Sequence, residues 1–247
     1  MDLKARWLEC LAPFGAVPAL ADAVWTEIAA AYAEPARHYH GPAHIEALLN
    51  LSVQHRAHLR APAAIDLAIF FHDAIYDARR SDNEVLSAAL AQDHLARLGV
   101  PMAVADRVAS LIDMTRHGAV EPAPGDTDAH HFLDFDLSTL GAAPPLYDAY
   151  AAAIRREYAH VPPGDYRLGR ARVLQGFLAQ PRIYRVPALR GHWEDAARAN
   201  LAREIMALEA ARTDPPAWPF GPLSGPLSLT ASPATVAPIK PIPGDKP

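Results

Sequence analysis

The chain has 247 residues, a formal net charge of −5 and one cysteine, Cys10. The net negative charge gives no sign of the basic face that binding of polymeric DNA or RNA requires. The only lysines are Lys4, Lys240 and Lys246, so the predicted fold has no lysine for a P-loop or an internal Schiff base. A single cysteine excludes an internal disulfide framework, and the N-terminus lacks the pattern of a secretory signal, so we expect a cytoplasmic protein without a membrane segment.

Apolar residues recur at helical spacing along most of the chain, and short Gly- and Pro-rich breaks separate the periodic segments. This pattern predicts an all-α domain, because alternating strand patterns are missing. A short helix is expected before the loop at residues 13–18, and further helices are predicted over residues 18–34, 42–59, 62–74, 82–98, 102–117, 128–140, 144–160, 165–180 and 189–211. Pro42 falls in a first helical turn, and Ser81-Asp-Asn-Glu84 has the spacing of a capping box.

The composition changes after Thr213. Residues 214–247 hold ten of the 24 prolines and almost no charge, and they show no apolar periodicity. Such a segment buries too little apolar surface to fold, so we expect a disordered, Pro-rich tail over residues 213–247. Residues 1–212 then form a single helical domain, which is long enough for one sizeable core.

The pair His72-Asp73, at the end of the apolar run of residues 61–71, is the strongest chemical signal in the chain. Both residue types bind divalent metals, yet adjacent side chains in a regular helix diverge by about 100°. They can share one ion only near a helix terminus, which the break at residues 77–81 supplies. His44 upstream and an aspartate downstream complete the order His, His-Asp, Asp. By itself the pair is equally consistent with an exposed polar helix end.

Four short motifs surround these residues and share one family pattern. They are Tyr39-His40-Gly-Pro-Ala-His44, Phe71-His72-Asp73-Ala-Ile-Tyr76, Asn83-Glu84-Val-Leu-Ser87-Ala88 and Ile154-Arg-Arg-Glu157-Tyr158. In these motifs the chain resembles the HD superfamily of metal-dependent phosphohydrolases, and within it a bacterial branch, from about Trp25 to Leu208. The resemblance implies an HD-type helical bundle and a metal held by His44, His72, Asp73 and Asp136.

The resemblance also bears on the choice between two aspartates. Asp134 and Asp136 point to different helix faces, so only one is expected to reach the metal. The residues after Asp136 match the family pattern, which implies Asp136 as the ligand and leaves Asp134 behind the site or at the surface. For either residue an ordinary solvated position is the alternative. Two histidines and two carboxylates suit Mn, Fe, Co, Ni or Zn, and Mg is also compatible.

The resemblance implies hydrolysis of a phosphate ester, in a nucleotide or another small phosphorylated metabolite, by a metal-activated water molecule. The chain has no Gly-x-Ser-x-Gly motif, so a serine nucleophile of that type has no support. Two alternatives stay open. One is a non-catalytic nucleotide-binding sensor that signals through its tail, and the other is a di-iron oxygenase of HD type in which His94 or His117 adds a ligand.

Asp73, Glu84 and His117 are the candidate catalytic residues. Glu84 is a candidate to orient or deprotonate the attacking water, although the capping box explains a glutamate there equally well. His117 is a candidate to contact a phosphate or a second metal, although the helix dipole alone favours a histidine at a helix C-terminus. Asp77 matches an acidic position of guanosine tetraphosphate hydrolases in the superfamily, but Tyr76 stands where those enzymes have a glutamate.

Arginines are the expected phosphate ligands, because the planar guanidinium group suits phosphate oxygens. The candidates for substrate binding are Arg37, Arg79, Arg116 and Arg155, together with Tyr76, which has a ring suited to stacking on a nucleobase. Taken singly, each arginine fits a surface ion pair better than a substrate contact, and helix-spaced aromatic residues usually belong to the core.

Overall fold

The structure, a computed structural model, describes residues 1–116 and 120–210. Within these ranges it is all-helical, as predicted, and contains no strand. The ten α-helices are α1 (Leu3–Leu11), α2 (Pro18–Tyr32), α3 (Pro42–Gln54), α4 (Pro62–Phe71), α5 (Asn83–Arg97), α6 (Met102–Met114), α7 (Thr127–Asp136), α8 (Pro144–Glu157), α9 (Pro163–Ala179) and α10 (Pro187–Ala210). None of these helices has the length and apolarity to cross a bilayer. His117 and the predicted tail over residues 213–247 lie outside the described residues.

Proline begins six of the described helices, among them α3, whose start at Pro42 was predicted. Proline suits this position because the first helical N–H has no partner within the helix. The predicted capping box is wrong. Helix α5 begins at Asn83, after Asp82, and Asp82 makes no side-chain cap hydrogen bond. Asn83 itself uses its side chain to bind the backbone of Asp77, so the chain enters α5 through a closed turn.

Two predicted helices are divided in the structure. The segment predicted over residues 42–59 is helix α3 followed by a short 3₁₀ turn, Arg56–His58, and the segment predicted over 128–140 is α7 followed by the 3₁₀ turn Ser138–Gly141. A 3₁₀ turn repeats every three residues, so its apolar spacing is nearly that of an α-helix. The apolar periodicity of the sequence therefore continues across both helix ends and does not reveal them.

Helix α4 is the centre of the fold, and its last eight residues are all buried. Its sequence is apolar on nearly every side, as expected of a helix that is covered all round. It packs against α1, α3, α5, α6 and α7. Trp7 of α1 closes one side, with ring centroids 5.4 Å from Phe70 and 5.8 Å from Phe71. This burial sets the position of the C-terminal end of α4, which delivers the His-Asp pair.

The charged residue of α4, Asp66, is fully buried. Its carboxylate accepts hydrogen bonds from Ser52 Oγ at 2.5 Å and from Arg56 at 2.9 Å, and a further one from Arg6. A buried carboxylate needs such partners, because an uncompensated charge in an apolar core is costly. Burial and the Asp66 charge together raise the pKa of the neighbouring Cys10 to about 12, so the cysteine stays a thiol.

Helices α8, α9 and α10 form a second layer with its own apolar cluster, which includes Tyr147, Leu174 and Leu201. Trp193 of α10 packs against this cluster and against the main core. The 3₁₀ turn after α7 lies directly on α10, and Gly141 permits this approach because a Cβ at that position would lie 2.5 Å from the Trp193 Cβ. A glycine thus joins the two layers just beyond the end of α7.

Candidate metal centre

The His72-Asp73 pair lies at a helix terminus, as two adjacent ligands require. Helix α4 ends at Phe71, His72 is its C-terminal cap residue, and Asp73 lies in the turn that follows. His72 Nε2 is 3.2 Å from Asp73 Oδ2. Because Asp73 has left the helix, the divergence of neighbouring helical side chains no longer separates the two ligands.

His44 and Asp136 reach the same point from two other helices. His44 lies in the first turn of α3, and Asp136 is the last residue of α7. His44 Nε2 is 3.2 Å from His72 Nε2 and 3.3 Å from Asp136 Oδ1, and the ligand atoms of these three residues lie within 4.8 Å of one another. Ligand atoms about 2.0 to 2.1 Å from one tetrahedral ion stand about 3.3 Å apart, so the spacing suits a shared metal.

We call His44, His72, Asp73 and Asp136 the metal-centre group. The structure brings the first, second and last of these together as a possible metal site, and Asp73 adjoins them through its contact with His72. Two imidazole nitrogens with carboxylate oxygens suit a divalent ion of borderline or harder character.

Neighbouring groups orient the ligands. The Nδ1–H of His72 donates to the carbonyl oxygen of Ile69 at 2.9 Å, so in the neutral ring the lone pair is on Nε2, which faces the group. The backbone N–H of Asp73 donates to the Tyr32 hydroxyl at 3.2 Å, and the Tyr39 ring lies 4.9 Å from that of His44. Contacts of this kind fix the tautomer and the ring orientation of metal-binding histidines.

The two histidines have opposite shifts in pKa. Burial lowers the pKa of His44, because a buried imidazolium loses its hydration. Burial acts in the same direction on His72, but the carboxylates of Asp73 and Asp136 outweigh it and raise the pKa of His72 to about 9. The two carboxylates thus favour the protonated form of His72 when no metal is bound.

Glu157 connects three of the four sequence motifs. Its Oε1 accepts the backbone N–H groups of His38, Tyr39 and His40 at 2.8, 2.6 and 3.0 Å. Its Oε2 accepts the Nδ1–H of His40 at 2.7 Å and the hydroxyl of Tyr76 at 2.9 Å. The carboxylate therefore holds the segment that leads to His44 against the turn that follows the His-Asp pair.

These hydrogen bonds determine the ionisation of Glu157. Burial alone would raise its pKa, but the bonds from the His40 side chain and from the backbone N–H groups outweigh burial and lower the pKa to about 2. Within the motif of residues 154–158 the sequence predicts a functional role for Arg155, whereas the structure shows Glu157 making the contacts to the His40 segment and to Tyr76. The motif was the one sequence feature that pointed to Glu157. A glutamate at the end of a helix is not otherwise expected to bind a distant segment of the chain.

The Asn83 motif closes the same turn from the other side. The Asn83 side chain accepts the backbone N–H of Asp77 at 3.1 Å and donates to its carbonyl oxygen at 3.0 Å. Ser87 Oγ accepts the backbone N–H of Ile75 at 3.0 Å. The first turns of α5 thus bind the chain between Asp73 and Asn83 as a closed loop.

Two of the candidate phosphate ligands are used by the backbone. The guanidinium group of Arg37 donates to the carbonyl oxygens of Asp73 and Ala74, at 2.5 and 3.0 Å. Arg155 donates to the carbonyl oxygens of Tyr158 and Val161, at 2.6 and 3.2 Å, beyond the end of α8. Both arginines therefore hold turns in place. Their hydrogen bonds to backbone carbonyl groups compete with the phosphate binding that the sequence predicts for them.

The remaining candidates are spread around the structure. Arg79 is exposed beside Asp77, 3.7 Å away. Glu84 is buried in the first turn of α5. Asp113 of α6 is close enough to sense both Glu84 and Arg116. Burial and, to a smaller extent, the charge of Glu84 raise the pKa of Asp113, and the charge of Arg116 opposes this rise. The structure does not describe His117, so its predicted role stays a prediction.

Asp134 and His94 have structural partners away from the metal-centre group. The Asp134 carboxylate accepts the backbone N–H groups of Arg185 and Val186, at 2.9 and 2.7 Å, and it is fully buried rather than at the surface. His94 Nε2 is 3.3 Å from Glu27 of α2. Of the two aspartates in α7, Asp136 is thus the one that meets the histidines.

Comparison of the chain with protein-family models, with curated proteins and with solved structures finds no match. The function of the metal-centre group is therefore inferred from its own chemistry and from the motifs that surround it.

Proposed function

We propose that the chain is a metal-dependent phosphohydrolase that cleaves a phosphate ester in a nucleotide or another small phosphorylated metabolite. The observation that carries the proposal is the meeting of His44, His72 and Asp136 within 4.8 Å, with Asp73 beside them. These residues occupy the ligand positions of the HD pattern, and they come from three helices that no local sequence signal brings together.

The residues of the group have distinct tasks in this chemistry. A divalent ion held there would supply a Lewis acid for the phosphoryl oxygen and activate a water molecule as the nucleophile. Asp73 and Asp136 contribute negative charge that favours a dication, and His72 is held in the ligand-competent tautomer by Ile69. Four protein ligands leave coordination positions for water and substrate on a five- or six-coordinate ion.

Aromatic rings border the metal-centre group on the side of His44. Tyr39 packs on His44, and the ring of Tyr150 lies 4.6 Å from that of Tyr39. His40 stacks on Tyr76 with ring centroids 4.2 Å apart. These rings pack on one another, so they do not distinguish a nucleotide from another small phosphate ester. Because Arg37 and Arg155 bind the backbone, recognition of the phosphate group would fall to the metal and to the other candidate arginines, Arg79 and Arg116.

A substrate screen with added metal tests the proposal. Purified protein is incubated with mononucleotides, cyclic nucleotides, dinucleotides and sugar phosphates, with Mn, Co, Ni or Mg supplied, and release of phosphate or nucleoside is measured. We expect turnover of at least one member of the panel, and only when a divalent ion is present. The absence of turnover across the whole panel would count against a phosphohydrolase.

Two further measurements, of nucleotide binding and of iron content with oxygen consumption, separate the two alternatives. Tight nucleotide binding without turnover would identify a sensor, whereas two iron ions per chain with oxygen consumption would identify an oxygenase. The structure favours neither. His94, one of the two histidines considered as an additional iron ligand, contacts Glu27 and Arg97 instead of the metal-centre group.

A further inference from the structure

A second group of histidines lies at the far end of helix α3 from His44. His55 caps the C-terminus of α3, His58 ends the following 3₁₀ turn, and His131 lies in α7. The ring centroids are 6.3 Å apart for His55 and His58, 6.1 Å for His55 and His131, and 6.2 Å for His58 and His131. We call these three residues the second histidine group. None of them belongs to the metal-centre group.

His131 is oriented in the way that metal-binding histidines usually are. Its Nδ1 lies 2.7 Å from the carbonyl oxygen of Thr127, one turn earlier in α7. A carbonyl only accepts, so Nδ1 carries the hydrogen and Nε2 keeps its lone pair. His72 makes the same type of bond to Ile69 in the metal-centre group. Most metal-binding histidines donate their other ring N–H to a carbonyl oxygen or a similar acceptor in this way.

His55 is partly shielded from solvent. Partial burial, and after it the neighbouring His131 and His58, lower the pKa of His55, which favours its uncharged ring. A neutral imidazole is the form that binds metal. The Phe135 ring backs the group, with centroids 5.6 Å from His55 and 5.8 Å from His131. An apolar wall on one side and solvent on the other leaves an open approach for an ion.

We propose that His55, His58 and His131 form a second metal site, which takes a divalent transition-metal ion that prefers imidazole, such as Zn, Ni or Cu. Three imidazoles on one tetrahedral ion place their ring centroids about 5 Å apart, so the rings must approach by roughly 1 Å. His58 is exposed and ends a short turn, and exposed side chains change rotamer readily. Rotation of His58 toward the other two rings closes the site.

The proposed site joins the two helices that supply His44 and Asp136. Helices α3 and α7 run in opposite directions, because His44 at the start of α3 meets Asp136 at the end of α7 while His55 at the other end meets His131. A bound ion would therefore fasten these helices at one end, while the metal-centre group lies at the other. We infer that its occupancy stabilises the folded chain as a ligand of the native state does.

Counting bound nickel tests the site. Wild type and His58→Ala are dialysed to equilibrium with Ni²⁺, and the metal content per chain is measured over a range of free Ni²⁺. We expect the wild type to bind one ion more than His58→Ala, or that ion at least about tenfold more tightly. Both proteins keep the metal-centre group, so any nickel bound there cancels in the difference in nickel content between them. A failure of the proposed function can therefore be distinguished from a failure of this site.

A matched control separates a built site from general surface binding. His192 is another exposed histidine, and His192→Ala should bind nickel as the wild type does. His55→Ala should lose the same ion as His58→Ala, and Ni²⁺ should raise the melting temperature of the wild type more than that of either variant. Equal nickel content and affinity in wild type, His58→Ala and His55→Ala would overturn the proposal. An equal loss in His192→Ala would also overturn it, since it would indicate nonspecific binding.

Discussion

At the scale of single residues, the position of Asp73 two residues beyond the last residue of α4 decides whether its carboxylate can join His44, His72 and Asp136. His72 is the C-terminal cap residue of α4, and its ring donates to the carbonyl oxygen of Ile69. Asp73 lies in the turn, where its backbone N–H donates to Tyr32 and its carboxylate approaches His72. Its side chain therefore reaches the group only because the helix stops at Phe71.

Replacement of Asp73 by Asn tests this position. The change keeps the size of the side chain but removes the negative charge that favours a bound dication, so metal affinity and any hydrolytic activity should fall by at least about tenfold. Helical content, measured by circular dichroism, should stay near that of the wild type. The control is Asp93→Asn in α5, an exposed aspartate outside the group. Full metal content and full activity in Asp73→Asn would contradict the assignment.

Glu157 gives a second prediction at this scale, which concerns pH. Its pKa is about 2 in the folded protein and 4.5 in an ordinary glutamate, a gap that corresponds to roughly 3 kcal/mol of stability. Because the folded pKa is the lower one, this stability is present above about pH 4.5 and is lost as the pH falls toward 2. Glu157→Gln should therefore be less stable than the wild type at pH 7, and its stability should change less between pH 5 and 2.

Denaturant unfolding at a series of pH values measures this effect. Glu209→Gln, an exposed glutamate near the end of α10, is the matched control and should follow the wild-type curve. Stability curves for Glu157→Gln and wild type that run parallel between pH 5 and 2 would show that the carboxylate does not carry the proposed charge-dependent stabilisation.

At the scale of elements, side chains from several parts of the chain form hydrogen bonds to the turn between α4 and α5. Arg37 donates to the carbonyls of Asp73 and Ala74, Asn83 binds the backbone of Asp77, and Glu157 holds Tyr76. These residues lie before α3, at the start of α5 and at the end of α8, so the turn is bound on several sides. Residues of the motifs, together with Arg37 outside them, therefore position the candidate metal ligands.

The contact between the two layers gives a prediction with an internal control. Gly141→Ala would place a Cβ 2.5 Å from that of Trp193. Neither Cβ can move without its backbone, so the variant should be destabilised by about 1 to 3 kcal/mol. Gly191→Ala changes a glycine within α10 whose added Cβ meets nothing within 4 Å, and it should be neutral or more stable by up to about 1 kcal/mol. Thermal unfolding of both variants measures the difference. Equal melting temperatures would contradict the proposed close contact.

At the scale of the whole molecule, the fold is arranged around α4. Helices α3, α4 and α7 each deliver one part of the metal-centre group from a helix end, and the first layer holds these ends together by packing on the apolar faces of α4. Side chains at helix ends project past the helix into the space between elements. Burial of a single central helix thus determines where ligands from distant parts of the chain meet.

Removal of residues 214–247 tests the predicted division of the chain. These residues lack the apolar periodicity that a packed element needs, so a protein ending at Thr213 should keep the melting temperature of the full chain within about 2 °C and keep its metal binding and any activity. Differential scanning calorimetry and the nickel and substrate assays measure these properties. A large loss of stability or activity would place the segment inside the functional fold.

Local pattern in the sequence was sufficient for the helical class and for the start of α3 at Pro42, because helical periodicity and helix-start chemistry depend on neighbours along the chain. The resemblance to the HD pattern implied the residues of the metal-centre group, including Asp136 rather than Asp134. The tertiary structure alone decided that Arg37 binds the backbone and that Glu157 reaches His40. These outcomes depend on distances between residues dozens of positions apart. Such distances are set by how buried faces pack against α4, and periodicity along one helix carries no information about them.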